Sequence, residues 1–182
     1  MKIEYAEFPE VLKISPKIFF DNRGYFFESY NFEELEKLKL INSNFIIDGE
    51  SKSEKGVIRG IHYQSNPFAQ NKLVRVIRGE VLDIVVDLRK NSKNFGRYFA
   101  TKLSDSNKCQ LFIPKGFGHG FLTLTDEAVM AYKVDNVYSP DHYHTILWDD
   151  KDLNISWPIE KKKVILSDND SNGVDFKDAV YF

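Results

Sequence analysis

The chain has 182 residues and a formal charge of −2, from 25 Lys and Arg against 27 Asp and Glu. That length holds one domain with a substantial core and no need of staples, and the charge balance offers no basic field for nucleic acid. No stretch approaches the roughly 18 apolar residues of a membrane span, and the start MKIEYAEFPE has acids where a signal peptide has its apolar centre. A single Cys109 rules out an intrachain disulfide and gives no sign of secretion. The expectation is a cytoplasmic protein that binds neither nucleic acid nor membrane, with Cys109 a half-buried strand thiol.

In chain order, Ile14 to Phe27 is rich in strand formers around Asp21-Asn22-Arg23-Gly24, which reads as a loop between two strands. One helix follows, with Asn31 as N-cap, Glu34 three residues on, and Phe32, Leu35 and Leu38 as its apolar stripe. From Val57 the pattern is β. Val74, Val76 and Ile77 lead into Arg78-Gly79-Glu80, after which Leu82, Ile84, Val86 and Leu88 alternate with Val81, Asp83, Val85 and Asp87. A period of two after a tight turn predicts a hairpin. Further strands are expected over Gly96 to Leu103, Gln110 to Ile113, Gly120 to Leu124, Val129 to Val137 and Thr145 to Trp148. Many short strands with frequent turn signals predict an all-β sandwich or barrel with a few short helices. Beyond Lys161 the polar run predicts a surface loop and a loosely packed C-terminal end. With neither repeat nor linker, residues 1–182 read as one domain.

Two motifs stand out. Gly56 is followed after five residues by His62 and then by Gln64, and Pro114, Gly116 and His119 form a Pro-x-Gly-x-x-His. This spacing resembles the two motifs of the cupins, small jelly-roll barrels. In a metal cupin the ligands would be two His, one Glu and a final His; the matching positions here hold His62, Gln64, Lys72 and His119. A lysine ammonium has no lone pair and repels a cation, and Gln is a weak ligand for metals that favour imidazole. No metal and no other cofactor is expected.

A longer ordered set sharpens the resemblance. Asp21-Asn22-Arg23-Gly24, GVIRGIHYQ, Lys72 to Val76, PKGFGHGF, Tyr132-Lys133 and Leu166 to Asp170 span nearly the whole chain. Together they resemble the dTDP-4-dehydrorhamnose 3,5-epimerases, metal-free cupins of nucleotide-sugar metabolism. The resemblance implies a homodimer acting on a nucleotide-diphosphate-linked 4-keto-6-deoxy sugar, with proton removal and return beside the ketone. It makes His62 the base, Asp170 its orienting partner, Tyr132 the acid on the opposite face and Lys72 the cation near the developing enolate. It assigns Arg23, Phe26 and Glu28 to nucleotide binding, often across the subunit interface. It also assigns Ser51, Arg59, His119 and Tyr138 to substrate contacts.

The chemistry suits these residue types. Neutral imidazole takes protons near pH 7, a carboxylate on its far nitrogen fixes the tautomer, and a guanidinium fork matches phosphate oxygens. On residue type alone, His62 would be a hydrogen-bonded core residue, Lys72 and Asp170 solvated charges, and the two arginines surface ion pairs.

The chain departs from the family pattern where Gln-Asp-Asn-His becomes Ile47, Asp48, Gly49 and Glu50. It departs again at Tyr143 and Thr145, usually Glu and Gly, and at Asn169, usually Lys. These positions spare the acid–base set and fall where sugar and nucleotide are read, so a related substrate such as a GDP-linked 4-keto-6-deoxy-heptose, and inversion at C3, C5 or both, stay open. A 3,4-ketoisomerase on the same scaffold and a non-catalytic sugar-nucleotide binder are the alternatives.

Overall fold

The computed structural model describes residues 2–37 and 44–182. In chain order the strands are β1 (Lys2–Tyr5), β2 (Leu12–Ser15), β3 (Phe19–Asp21), β4 (Gly24–Phe26), β5 (Ile47–Glu54), β6 (Ile58–Gln64) and β7 (Lys72–Arg78). They continue as β8 (Glu80–Asp87), β9 (Tyr98–Ser104), β10 (Gln110–Ile113), β11 (Phe117–Thr123), β12 (Glu127–Val134) and β13 (Tyr143–Thr145). Among the described residues, two short α-helices, α1 (Phe32–Glu36) and α2 (Asp168–Ser171), and three single 3-10 turns complete the regular structure. The all-β expectation holds. Two antiparallel sheets, ordered β1-β2-β10-β7-β12-β5 and β13-β6-β11-β8-β9, pack as a jelly roll, and β3–β4 stand apart as a small ribbon.

The local readings hold at the ribbon and the helix. Asp21 pairs with Gly24 across the Asn22-Arg23 turn, and the Asn31 side chain accepts from the Glu34 N–H at the start of α1. Leu35 is buried there; Leu38 lies outside the described residues.

The hairpin at Gly79 does not form. β7 lies between β10 and β12 in one sheet, whereas β8 lies between β11 and β9 in the other. The turn is a corner at which the chain crosses the sandwich. Gly79 has φ +80°, and a Cβ there would sit 2.2 Å from the Glu127 carbonyl oxygen, so no side chain fits the corner.

The main core lies between the sheets and includes Val74, Val76, Val81, Val85, Leu111, Ile113 and Met130. The alternate residues of β8, Ile84 and Val86, are buried too, in a second cluster with Leu153, Ile155 and Phe176. The C-terminal segment supplies that cover. It was expected to be polar and loosely packed, yet Phe182 donates its N–H to the Leu88 carbonyl at 3.1 Å and accepts from the Lys90 N–H at 2.9 Å. The Tyr181 hydroxyl donates to the Phe176 carbonyl. Apolar residues spaced through the polar run (Phe176, Ala179, Tyr181, Phe182) pack on this cluster and give the segment its anchors. Among the described residues, no helix is long and apolar enough to cross a membrane.

Candidate active site

β6 and β11 pair so that His62 lies opposite His119. The close approach depends on glycine: Gly60 has φ +119°, and a Cβ on it would stand 2.5 Å from the Gly120 Cα. This explains why both histidine motifs carry glycines, and it sets two imidazoles side by side.

The C-terminal segment then delivers a carboxylate to the first of them. It runs beside the start of β6, where the Ile58 N–H donates to the Ile165 carbonyl and the Ile165 N–H to the Gly56 carbonyl. Ser167 caps α2 by accepting from the Asp170 N–H, which fixes Asp170 on the first turn. Asp170 is 3% exposed, and its Oδ1 lies 2.5 Å from His62 Nε2. The same carboxylate accepts from the Gly60 N–H at 3.1 Å and from the Ser167 hydroxyl at 2.6 Å. Burial alone would raise its pKa. The bonds from His62, Ser167 and Gly60 outweigh burial and hold it below the ordinary value, so Asp170 is an anion. His62 Nε2 therefore carries the proton and Nδ1 keeps the lone pair. Desolvation pulls the His62 pKa below 6.5, against the opposing pull of Asp170.

His119 is held in the same way. Its Nε2 donates to both carboxylate oxygens of Asp83, at 2.9 and 3.1 Å, and Asp83 is fully buried. Lys72, at the start of β7, donates weakly to the His62 carbonyl at 3.4 Å. Desolvation lowers its pKa to about 8, partly offset by attraction to Asp83. It is a cation at neutral pH.

These groups share one cavity of about 440 Å³, within the ordinary range for small-molecule sites. His62, Lys72, His119, Tyr132, Ser51, Arg59 and Tyr138 all line it, with apolar walls from Ile47, Val74, Phe121, Met130 and Val134 and further polar surface from Gln70 and Tyr143. Arg59 is fixed at the wall by donating to the Ser53 hydroxyl at 2.9 Å and the Lys52 carbonyl at 3.0 Å. Gln64, in the position of a cupin ligand, is buried and tied into the loop that carries Tyr138. It donates to the carbonyls of Phe68 and Val137 and accepts from the Ser139 N–H.

Three expected contacts stand elsewhere. Arg23 is exposed and paired with Asp21 at 2.6 Å, Phe26 is exposed on the β3–β4 ribbon, and Glu28 accepts from the Asn31 amide beside α1. None of them lines the cavity. Conversely, Asp83 was read only as one member of an alternating strand; its signal was a carboxylate between the inward-facing Val81 and Val85.

A base with a buried orienting carboxylate, a nearby cation and a phenol on a different strand can move a proton on and off a carbon acid and stabilise the anion between. The family model for dTDP-4-dehydrorhamnose 3,5-epimerase matches residues 5–178. The chain belongs to the dTDP-4-dehydrorhamnose 3,5-epimerase family. It is 49% identical to the dTDP-4-dehydrorhamnose 3,5-epimerase of Shigella flexneri over 100% of this chain and 99% of that one. A Legionella pneumophila dTDP-6-deoxy-D-glucose-3,5-epimerase, solved in complex with dTDP-4-keto-L-rhamnose, superposes with a TM-score of 0.93 at 41% identity, covering 97% of this chain and 93% of that one. The Bacillus anthracis dTDP-4-dehydrorhamnose 3,5-epimerase with TDP and PPi bound gives a TM-score of 0.92 at 44% identity, covering 96% and 98%.

Within this epimerase family the departures at 143, 145 and 169 form one cluster. The Tyr143 ring lies against His62, centroids 5.2 Å apart, and meets Tyr138 edge-on at 5.5 Å. Thr145 pairs with His62 across β13 and β6, and the Asn169 amide donates to the Thr145 hydroxyl at 3.0 Å. Burial, then the nearby Asp170 charge, pushes the Tyr143 pKa up. Neutral groups thus stand at 143 and 169, where the resemblance implied a Glu and a Lys.

Proposed function

We propose that the chain epimerises dTDP-4-dehydro-6-deoxyglucose to dTDP-4-dehydrorhamnose, inverting C3 and C5 beside the 4-keto group without a cofactor. The observation that carries the reading is the buried Asp170–His62 pair at the wall of a cavity that also holds Lys72 and Tyr132. His62 Nδ1 takes the proton from the carbon next to the ketone, and the electron pair moves onto the carbonyl oxygen to give an enolate. Lys72 stabilises that oxygen; one such contact is commonly worth about 3 kcal/mol. Tyr132 returns a proton to the opposite face, the enolate collapses to the ketone, and the centre is inverted.

The dTDP-linked substrate is favoured over a GDP-linked heptose because the relatives at 41–49% identity are named for dTDP sugars. His119, Arg59, Ser51 and Tyr138 bind the substrate within the cavity. Arg23, Phe26 and Glu28 reach it from a second copy in a homodimer, which accounts for their distance from the cavity of their own chain. One domain spans the chain, which acts in the cytoplasm.

Turnover in deuterium oxide, followed by NMR, tests the reading. The expected result is deuterium at C3 and C5 with the carbonyl kept at C4. A carbonyl moved to C3 would make the protein a ketoisomerase, and an unchanged, undeuterated sugar would leave only a binder.

A further inference from the structure

Gln64 stands two residues beyond His62 on β6, yet it does not line the cavity. Its amide is committed elsewhere. Both N–H groups are donated, to the Phe68 carbonyl at 2.7 Å and the Val137 carbonyl at 3.0 Å, and Oε1 accepts from the Ser139 N–H at 2.8 Å. Only one orientation of the amide serves two carbonyls and one N–H, so its partners fix which end is oxygen. Gln64 is 3% exposed, and bonds of a group so buried are costly to lose.

Two of these partners flank one residue. The Val137 carbonyl and the Ser139 N–H belong to the two peptide planes that meet at the Tyr138 Cα, so a single buried amide grips both and fixes the backbone angles between them. Tyr138 depends on that grip. It is 61% exposed and lines the cavity, on the segment between β12 and β13, outside the pairing of either strand. Its ring meets Tyr143 edge-on, and among the described residues no hydrogen bond holds its hydroxyl. Its position is therefore set by its backbone. Gln70 supports the same segment one step back, donating to the Asn136 carbonyl at 2.9 Å, but among the described residues the Ser139 N–H is bound by Gln64 alone.

We propose that Gln64 is a positioning residue for the substrate: its buried amide clamps the peptides on either side of Tyr138 and holds that ring against the cavity. The inference rests on Tyr138 contacting the sugar nucleotide in the proposed reaction. The position that would hold an ion in a metal cupin here holds a loop. Loss of the clamp spares His62, Asp170, Lys72 and Tyr132 and frees only a binding contact. A contact made equally in the ground state and the transition state appears in KM and leaves kcat in place.

The test uses Gln64→Met, which keeps the volume and removes all three bonds, with dTDP-4-dehydro-6-deoxyglucose as substrate. The clamp predicts that KM rises at least about fivefold while kcat stays within about threefold. Because Gln64 acts through Tyr138, the Gln64→Met/Tyr138→Ala variant should have a KM within about twofold of Tyr138→Ala alone. A fall in kcat at parental KM, no change in either, or KM effects that multiply overturns the proposal. Amide hydrogen exchange without substrate, read by NMR, supplies a second arm that needs no activity. In Gln64→Met the Ser139 amide should exchange at least about tenfold faster while the β6 amides keep their parental rates. Unchanged exchange at Ser139, or acceleration shared equally by β6, overturns the clamp. If Gln64→Met does not fold, Gln64→Asn keeps an amide in the buried site but falls one methylene short of the loop, and the same readouts apply. Failure of both to fold would make Gln64 a core group and overturn the positioning role. A parent that does not turn over this sugar would instead sink the proposed function and leave the exchange arm to decide the clamp.

Discussion

His62 and Asp170 are 108 positions apart in sequence and 2.5 Å apart at Nε2 and Oδ1. The contact exists because the C-terminal segment returns along β6 and a Ser167 cap pins the carboxylate on the first turn of α2. Asp170→Asn keeps the volume and removes the charge. The amide can present its N–H₂ to Nε2 and favour the wrong tautomer, so kcat is expected to fall by roughly 10²–10⁴, as removal of an orienting carboxylate does elsewhere. KM should change little, since Asp170 sits behind His62. Steady-state kinetics decide it, and a kcat within twofold of the parent would exclude the orienting role.

The proposed role of Lys72 predicts the alkaline side of the pH profile. Its pKa is lowered by desolvation from 10.5 to about 8, so the cation proposed to steady the enolate is lost as pH passes about 8 and the rate should fall with it. Stability runs the other way. Between about pH 8 and 10.5 the unfolded lysine still holds its proton and the folded one does not, so stability rises with pH across that window. Below it the buried charge costs roughly 3 kcal/mol at most. Lys72→Met should therefore lose nearly all activity while gaining more thermal stability at pH 7 than at pH 10. A variant that keeps the parental alkaline limb would remove Lys72 from the mechanism.

Tyr143 screens His62 with a neutral ring. Burial keeps the phenol protonated, so only the carboxylate of Asp170, through its hydrogen bond and its charge, raises the imidazole pKa against desolvation. Tyr143→Glu would add a second carboxylate near His62 and favour imidazolium. The acid limb of kcat/KM should then move to higher pH by about one unit, while Tyr143→Phe leaves it in place. Identical acid limbs for the two variants would show that position 143 does not tune the base.

How much of this was legible follows from what each residue's signal depends on. The capped helix at Asn31 and the ribbon at Asn22-Arg23 are local, and local turn chemistry predicts them. The cavity residues followed from motif order, since His62, Lys72 and His119 keep their spacing whatever surrounds them. β5 was missed because its inward positions are Gly49, Ser51 and Ser53, which lack the apolar alternation of a half-buried strand. Asp83 was passed over because an isolated carboxylate in an alternating strand reads as solvent-facing until its histidine is in place. Arg23, Phe26 and Glu28 lie outside the cavity lining, and no spacing rule reports how far a ribbon stands from a pocket.

The misread hairpin shows the limit most directly and gives a stability prediction. Alternation followed by Arg78-Gly79-Glu80 looks the same whether the two strands pair or part. Their partners decide: β12 and β10 claim both edges of β7, and β11 and β9 claim both edges of β8. At the corner, the Gly79 N–H donates to the Asp105 carboxylate at 2.7 Å. The Gly79 carbonyl accepts from the Asp105 N–H, and φ is +80°. Gly79→Ala meets two penalties. The left-handed backbone costs an L-residue roughly 1–2 kcal/mol, and the new methyl must displace the Glu127 carbonyl, which stands 2.2 Å from its position. A total of about 2–4 kcal/mol corresponds to a fall in Tm of roughly 5–15 °C for a chain of this size. Thermal unfolding followed by circular dichroism measures it. Because Gly79 is not among the residues that line the cavity, kcat at low temperature should stay near the parent. A variant as stable as the parent would mean that the corner can relax without its glycine, and that the crossing between the sheets is held by the flanking strands alone.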